Sequence, residues 1–143
     1  MFEQFNHDQR VVFNACKERI DASVGDCFFV DGPGGTGKTF VYIAIVNYAK
    51  FIGKIVATMA WTGIAGILLP GGRTAHKTFK LLANDMTVVQ SLYWIKEMKQ
   101  CLMKTDIFIW DEASMIPSTC LTMIDIALKD LCSNDKPFGG KLF

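Results

Sequence analysis

The sequence predicts an α/β fold in which helices cover both faces of a parallel sheet. Two observations lead to this expectation: segments with helical spacing alternate with short apolar runs, and a glycine-rich stretch connects one such run to a helix. Strands that alternate with helices of this length form parallel sheets, because the helix carries the chain back across the sheet. With 143 residues, half of them apolar, the chain is long enough to bury the core of one domain.

The first predicted helix begins after Asn6 and ends near Ser23. Asn6 and Gln9 stand three residues apart, as in a capping box, where each side chain bonds the other residue's backbone amide. Apolar residues then recur at helical spacing, at Phe13, Cys16 and Ile20.

Two strands and a second helix are predicted next. The apolar run Cys27–Val30 is typical of a parallel strand that is covered on both faces. Lys38–Phe51 predicts a helix that is stopped by Gly53, and Ile55–Met59 predicts the following strand.

The second half of the chain continues the alternation. Val88–Met103 suits an amphipathic helix, Asp106–Trp110 a buried strand, and Pro117–Leu131 a helix with proline in its first turn. No repeat or low-complexity linker interrupts the pattern, so we expect one domain over residues 1–143.

Composition narrows the classes of function. The net charge is +1, so any nucleic-acid partner must be argued from local sites. Five scattered cysteines without a C-x-x-C pair argue against a zinc site and for reduced thiols inside the cell. The polar N-terminus does not resemble a signal peptide, and no apolar run approaches the length of a membrane span.

The stretch Gly32–Thr39 reads GPGGTGKT and fits the phosphate-binding pattern G-x-x-x-x-G-K-[ST] between a predicted strand and a predicted helix. Glycines let backbone N–H groups converge on a phosphate, and the next helix adds unpaired donors. We expect Lys38 to reach the β- and γ-phosphates of a nucleotide and the Thr39 hydroxyl to hold Mg²⁺. The other expected binding residues are Gly32, Gly34, Gly35, Thr36 and Gly37. A glycine-rich turn that matches by chance is the alternative, and the strand-helix context argues against it.

The segment DIFIWDEAS supplies two carboxylates at the end of a predicted strand. Open α/β sheets bind ligands at this edge, so Asp111 is expected to support the Mg²⁺ coordination sphere and Glu112 to orient and deprotonate a water. The alternative is a pair of solvated acids that cap the next helix. The chain has no N-K-x-D sequence to suggest GTP, and hydrolysis of ATP is favoured.

Five segments together resemble the Pif-one-like DNA helicases: FNHDQR, GPGGTGKT, TGIAGILLPGGRTAHKTFKL, WDEASM and PFGGK. They are most similar to Helitron transposon-type members. The resemblance implies a RecA-like P-loop NTPase domain of a superfamily-one helicase, which uses ATP and Mg²⁺ to move 5′ to 3′ on single-stranded DNA and to unwind duplexes. It also implies roles in DNA repair, recombination and telomere maintenance, and a nuclear location. Nothing in the sequence indicates oligomers, so a monomer is expected.

The resemblance also assigns roles to single residues. Gln9 matches the glutamine that reads the adenine ring, and its capping-box role is an equally supported alternative on the residues alone. The predicted contacts to single-stranded DNA are Thr62, Gly63, Thr74, His76 and Lys77, with Arg73 and Lys80 adding positive charge. A buried or solvated histidine is the alternative for His76, and Trp61 and Trp110 are expected to be core aromatics.

The family continues past PFGGK into a sensor strand and a second motor domain, whereas the chain ends at Phe143. We therefore expect an N-terminal fragment in which the sensor strand, central in the sheet, has only begun, and which is marginally stable alone. Strong hydrogen-exchange protection of both Phe28–Val30 and Ile107–Trp110 in the isolated chain would contradict this expectation.

Three functions remain open at this point. The first is a helicase motor domain, favoured by the block from Thr62 to Lys80. The second is a P-loop phosphotransferase unrelated to DNA, which would need an acceptor pocket. The third is a non-catalytic nucleotide-binding remnant, which would show little hydrolysis although Lys38 and Glu112 are present.

Overall fold

A computed structural model of the chain describes residues 2–81 and 96–143. The helices and strands follow one another in the order α1 (His7–Ala22), α2 (Lys38–Phe51), β1 (Val56–Ala60), α3 (Gly63–Leu68), β2 (Arg73–Thr74), α4 (Ala75–Phe79), α5 (Lys96–Lys104), β3 (Ile107–Asp111) and α6 (Ser118–Cys132). Short 3-10 turns are present at Phe2–Gln4, Ala113–Met115 and Pro137–Gly140. None of the described helices is long and apolar enough to cross a bilayer.

The sheet is parallel, as predicted, and its strands lie in the order β2-β1-β3. Ala60 at the end of β1 pairs with Thr74 on one side and with Asp111 on the other. The carboxyl ends of the three strands therefore meet at the same edge of the sheet.

The segment that follows the PFGG turn lies beside β3. Leu142 forms a parallel bridge with Ile107, and the amide of Phe108 donates to the carbonyl of Leu142 at 2.8 Å. On its other side, Phe143 exchanges two backbone hydrogen bonds of 2.9 Å with Asp26 and Phe28. This segment thus lies between the chain before the glycine-rich loop and β3, in the central position expected for it.

The predicted strand Cys27–Val30 is not a regular strand, and this part of the prediction was wrong. Only Asp26 and Phe28 bond to Phe143, and two backbone bonds do not make a ladder. Phe29 is 72% exposed rather than covered on both faces. The segment is joined to the sheet by the two backbone bonds with Phe143.

Helices cover both faces of the sheet, as predicted. Side chains of a strand alternate between faces, and in β3 Ile107 and Ile109 pack on α1 and α2. Phe108 and Trp110 point the other way and pack with α4, α5 and α6. Two hydrophobic clusters therefore hold the sheet from opposite sides, and burial of each large apolar side chain contributes about 2 kcal/mol.

The remaining predicted boundaries agree with the structure to within one or two residues. The helix Lys38–Phe51 is found as predicted, and β1 and β3 each lie one residue later than expected. Pro117 is the residue before the first turn of α6 rather than part of it. Of the predicted helix Val88–Met103, residues 96–103 are helical and the rest lie outside the described residues.

The predicted capping box of α1 is present. The Asn6 side chain accepts from the amide of Gln9 at 2.9 Å, and the Gln9 side chain accepts from the amide of Asn6 at 3.1 Å. Ser23 ends the helix in the left-handed conformation. The helix boundaries are therefore fixed by local sequence at both ends.

Candidate nucleotide and nucleic-acid site

The glycine-rich loop connects the extended segment 26–30 to α2. Gly37 immediately precedes α2 with φ +80°, a conformation that favours glycine. A Cβ at Gly37 would also lie 2.5 Å from Nε2 of Gln9. Glycine at this position therefore serves both the turn into α2 and the close approach of α1.

Lys38 lies at the start of α2, and its ammonium group reaches back over the loop. Its Nζ donates to the carbonyl oxygens of Gly32, at 2.5 Å, and of Pro33, at 3.0 Å. The Thr36 hydroxyl donates to the same Pro33 carbonyl at 2.9 Å. The Lys38 ammonium and the Thr36 hydroxyl are therefore both held by carbonyl oxygens of the loop, and the ammonium lies beside the glycines.

Gln9 connects α1 to this loop. In addition to its capping contact, its Nε2 donates a 3.0 Å hydrogen bond to the Thr36 carbonyl. The capping role, one of the two alternatives considered for Gln9, is thus present, and the side chain also touches the loop. The predicted contact with adenine stays a prediction.

Asp111 and Glu112 lie where β3 ends. The Glu112 amide donates to Oδ1 of Asp111 at 2.8 Å, and Glu112 has φ +59° and ψ +38°. A left-handed conformation is costly for a residue with a Cβ, by about 1–3 kcal/mol, and such residues cluster at functional sites. The two carboxylates make different contacts: Asp111 accepts from the Glu112 amide, whereas the Glu112 side chain does not cap the 3-10 turn that follows it. The alternative of two acids that cap the next helix is therefore not observed at Glu112.

The Glu112 carboxylate is bound by Thr62. Its Oε2 accepts from the Thr62 hydroxyl at 2.9 Å and from the Thr62 amide at 3.3 Å. Thr62 precedes α3, and its hydroxyl also accepts from the amide of Ala65 at 3.4 Å. Fifty residues separate Thr62 from Glu112 in sequence, and the β1–β3 pairing brings them together.

A cavity of about 810 Å³ opens between the glycine-rich loop and the end of β3, a volume typical of ligand sites. Lys38 and Thr39 border it on the α2 side, and Asp111 and Glu112 border it on the β3 side. The Thr39 hydroxyl and the Asp111 carboxylate are oxygen donors of the kind that Mg²⁺ prefers, so the residues present fit this ion.

Tyr42 also lines this cavity and was not predicted from the sequence. Burial, with a smaller contribution from the Asp111 carboxylate, raises the pKa of Tyr42 to about 12. The signal that would have found it is its spacing, because a residue four positions after Lys38 lies on the same face of α2.

The residues predicted to contact DNA lie at the ends of β1 and β2. Gly63 is exposed, and no atom lies within 4 Å of the place where its Cβ would be, so its backbone is open to a ligand. The Thr74 hydroxyl accepts from the amide of Lys77 at 3.2 Å, and the Lys77 side chain is exposed. These residues are brought to the edge of the sheet that also carries Asp111.

His76, for which a buried or solvated ring was the alternative to a DNA contact, is half-buried. Its ring lies 4.9 Å from the Trp61 ring, which in turn stacks at 6.4 Å on Trp110. Trp110 is a core residue, as predicted, whereas Trp61 is only partly buried against the core. Trp61 therefore contacts the His76 imidazole at a tilt of 55°, because α4 follows β2 directly and brings His76 to the end of β1.

Comparison with known proteins identifies the family of this chain. The sequence matches the family described as PIF1-like helicase over residues 4–143. It is 34% identical over 119 residues to the ATP-dependent DNA helicase Pif1 of Psychrobacter sp., which covers 81% of this chain and 18% of that protein. It is 31% identical over 137 residues to the ATP-dependent DNA helicase RRM3 of Saccharomyces cerevisiae, covering 92% of this chain and 18% of the relative.

A solved structure of the Bacteroides Pif1 helicase in complex with ADP-AlF3 and single-stranded DNA superposes with a TM-score of 0.75 at 27% identity. The match covers 96% of this chain and 30% of that one. The chain thus spans about a third of the solved helicase and less than a fifth of the two curated relatives. The fold is the RecA-like α/β fold of these helicases, and the chain belongs to the PIF1-like helicase family.

Proposed function

We propose that residues 1–143 act as an ATP-hydrolysing motor domain of a DNA helicase. The observation that carries the proposal is that Lys38 of the glycine-rich loop and Glu112 at the end of β3 border the same cavity. The two curated relatives are named ATP-dependent DNA helicases, and the Bacteroides helicase was solved in complex with ADP-AlF3 and single-stranded DNA. The proposal includes the activity of the whole protein, which is ATP-dependent unwinding of DNA.

In this proposal the loop amides and Lys38 bind the phosphates of ATP. Lys38 exchanges its bonds to the Gly32 and Pro33 carbonyls for phosphate oxygens. Thr39 and Asp111 hold Mg²⁺, which when bound neutralises charge on the phosphate oxygens. Glu112 accepts a proton from the water that attacks the γ-phosphorus, while the bond to the ADP oxygen breaks.

Adenine recognition is assigned to Gln9. An amide presents a donor and an acceptor side by side and can pair with one edge of the base. In the structure the Gln9 amide bonds to Asn6 and Thr36, so adenine binding would require at least one of these bonds to be exchanged.

Single-stranded DNA is proposed to run along the sheet edge over Thr62, Gly63, Thr74, His76 and Lys77. The open backbone at Gly63 and the exposed Lys77 suit contacts to phosphate. His76 contacts Trp61 and is half-buried, so part of its ring is accessible to a base. Movement from 5′ to 3′, duplex unwinding, a monomeric state and a nuclear location belong to this proposal on the strength of the resemblance.

The test is steady-state ATP hydrolysis with Mg²⁺, with and without single-stranded DNA, by the protein as the cell makes it. Lys38→Ala is the matched variant, because it removes the ammonium group at the loop. We expect DNA to stimulate hydrolysis and Lys38→Ala to lower it by a factor of about 100 or more.

Turnover that ignores DNA would instead favour a self-sufficient phosphotransferase. ATP binding without turnover would favour a nucleotide-binding remnant. Either outcome would overturn the proposed function. A nucleotide-binding remnant would bind ATP without hydrolysing it, and Lys38→Ala would weaken that binding.

A further inference from the structure

The bond between Thr62 and Glu112 joins two residues that the proposed function gives to different ligands. Thr62 is assigned to DNA and Glu112 to the water that attacks ATP, yet the Thr62 amide and hydroxyl both donate to Oε2 of Glu112. We propose that Thr62 is a positioning residue that withholds Glu112 from the reaction until single-stranded DNA takes the Thr62 hydroxyl. This inference rests on the proposed function.

The Thr62 hydroxyl has one proton and can donate it to one acceptor at a time. Its lone pairs accept from the amide of Ala65, which leaves the proton for Glu112. A DNA phosphate that takes this proton therefore breaks the 2.9 Å bond to Glu112 and leaves the carboxylate only the longer 3.3 Å bond from the Thr62 amide. DNA and Glu112 compete for the same atom.

Glu112 has a second place to go. Its backbone is fixed by the amide bond to Asp111 and by pairing of β3 with β1, so only its side chain needs to move. Glu112 also lines the cavity shared with Lys38 and Thr39. A carboxylate released by Thr62 is thus free to turn into the cavity and accept the proton of a water.

Competition of this kind must act in both directions. If DNA weakens the Thr62–Glu112 contact, that contact weakens DNA binding by the same factor. A hydrogen bond to a charged group that is half-buried corresponds to a change of about tenfold in an equilibrium constant. DNA affinity therefore reports on the contact without any turnover of ATP.

The equilibrium test measures single-stranded DNA affinity at fixed salt for the unaltered protein, Glu112→Ala, Thr62→Val and the double variant. Glu112→Ala should bind DNA about tenfold more tightly, because the competing carboxylate is gone. The gain should disappear when Thr62→Val is also present. Glu112→Gln removes the negative charge but keeps a side-chain oxygen that can accept from Thr62, and it measures the electrostatic part of any gain.

The kinetic test measures hydrolysis without DNA. Thr62→Val should raise the DNA-free rate by about tenfold and reduce the factor by which DNA stimulates, whereas Thr62→Ser, which keeps the hydroxyl, should behave like the unaltered protein. Thr78→Val is the matched control, because the Thr78 hydroxyl donates to the Thr74 carbonyl and, among the residues that the structure describes, forms no hydrogen bond with a carboxylate. Its DNA-free rate should not change.

The possible results distinguish failure of the inference from failure of the proposed function. If Glu112→Ala and Thr62→Val act additively on DNA affinity, or if Thr62→Val lowers the DNA-free rate, the inference is overturned while the proposed function stands. If the unaltered protein neither binds DNA nor responds to it, the proposed function fails and the inference fails with it. A non-additive gain in affinity together with a raised DNA-free rate supports the inference.

Discussion

Gln9 and Thr36 are joined by a hydrogen bond of 3.0 Å from the Gln9 amide to the Thr36 carbonyl, although 27 residues separate them in sequence. The same Gln9 side chain accepts from the Asn6 amide and caps α1. One amide thus ties the start of the first helix to the phosphate-binding loop. Substitutions at Gln9 can separate these two functions.

Gln9→Glu keeps the acceptor for Asn6 and loses the donor to Thr36, whereas Gln9→Ala loses both. We expect Gln9→Ala to lower the free energy of unfolding by about 1 kcal/mol and Gln9→Glu to change it less, since the cap survives. Both should weaken nucleotide binding. Thermal unfolding and nucleotide titration measure the two effects; equal stability of the two variants would show that the cap contributes nothing.

The two carboxylates at the end of β3 should be separable by chemistry. Glu112→Gln keeps the size of the side chain and removes the base, so we expect ATP to bind while hydrolysis falls by a factor of about 100 to 10,000. Asp111→Asn should instead weaken the binding of Mg²⁺, so hydrolysis should require a higher Mg²⁺ concentration. Nucleotide affinity and hydrolysis as a function of Mg²⁺ concentration distinguish them, and retention of turnover in Glu112→Gln would assign the base elsewhere.

Alkaline pH should destabilise the fold through Tyr42. The pKa of its phenol is raised by burial, and less by Asp111, from 10.0 to about 12, so the folded state keeps a proton that the unfolded chain has lost. Between these pH values the unfolded state binds fewer protons, and the free energy of unfolding therefore falls as pH rises.

Tyr42→Phe removes the ionising group and should flatten this part of the pH dependence. The measurement is the midpoint of urea unfolding at a series of pH values from below the reference pKa of 10.0 up to the raised pKa of about 12. Cys16, whose pKa burial raises from 9.0 to about 11, contributes a fall in both proteins. The prediction concerns the difference between the unaltered protein and Tyr42→Phe. If the stability of both proteins fell in parallel as pH rises, the prediction would be contradicted.

Gly72 is expected to tolerate no side chain. A Cβ there would lie 2.0 Å from the Gly66 carbonyl oxygen and 3.0 Å from that of Leu69, so Gly72→Ala must push α3 away from β2. We expect a loss of about 2 kcal/mol in the free energy of unfolding. Gly63→Ala, which meets no atom within 4 Å, is the control. Chemical denaturation of both variants tests the contrast, and equal stabilities would argue against this close packing.

Local sequence determined the elements that carry their own signals. The capping box of Asn6 and Gln9 fixed the start of α1, and the glycine-rich loop fixed the start of α2 at Lys38, because these patterns satisfy backbone groups within a few residues. The apolar runs predicted β1 and β3 to within one residue. The same signals placed Lys38, Thr39, Asp111 and Glu112, since each lies at the end of a strand or at the start of a helix.

Tertiary structure decided the contacts made between distant segments. No local pattern indicates that Thr62 holds Glu112, that Gln9 reaches Thr36, or that His76 is half-covered by Trp61. These contacts depend on the parallel order β2-β1-β3, which brings the ends of separate strands together.

The segment Cys27–Val30 also shows the difference between what local sequence and what tertiary structure determine. Its apolar composition predicted a strand, but a strand exists only where a neighbour supplies a ladder of hydrogen bonds, and here Phe143 supplies one point of contact. Composition sets the tendency of a segment to be buried and extended. Pairing partners, which lie far away in sequence, decide whether that tendency becomes a strand, because backbone hydrogen bonds between strands are made across the fold.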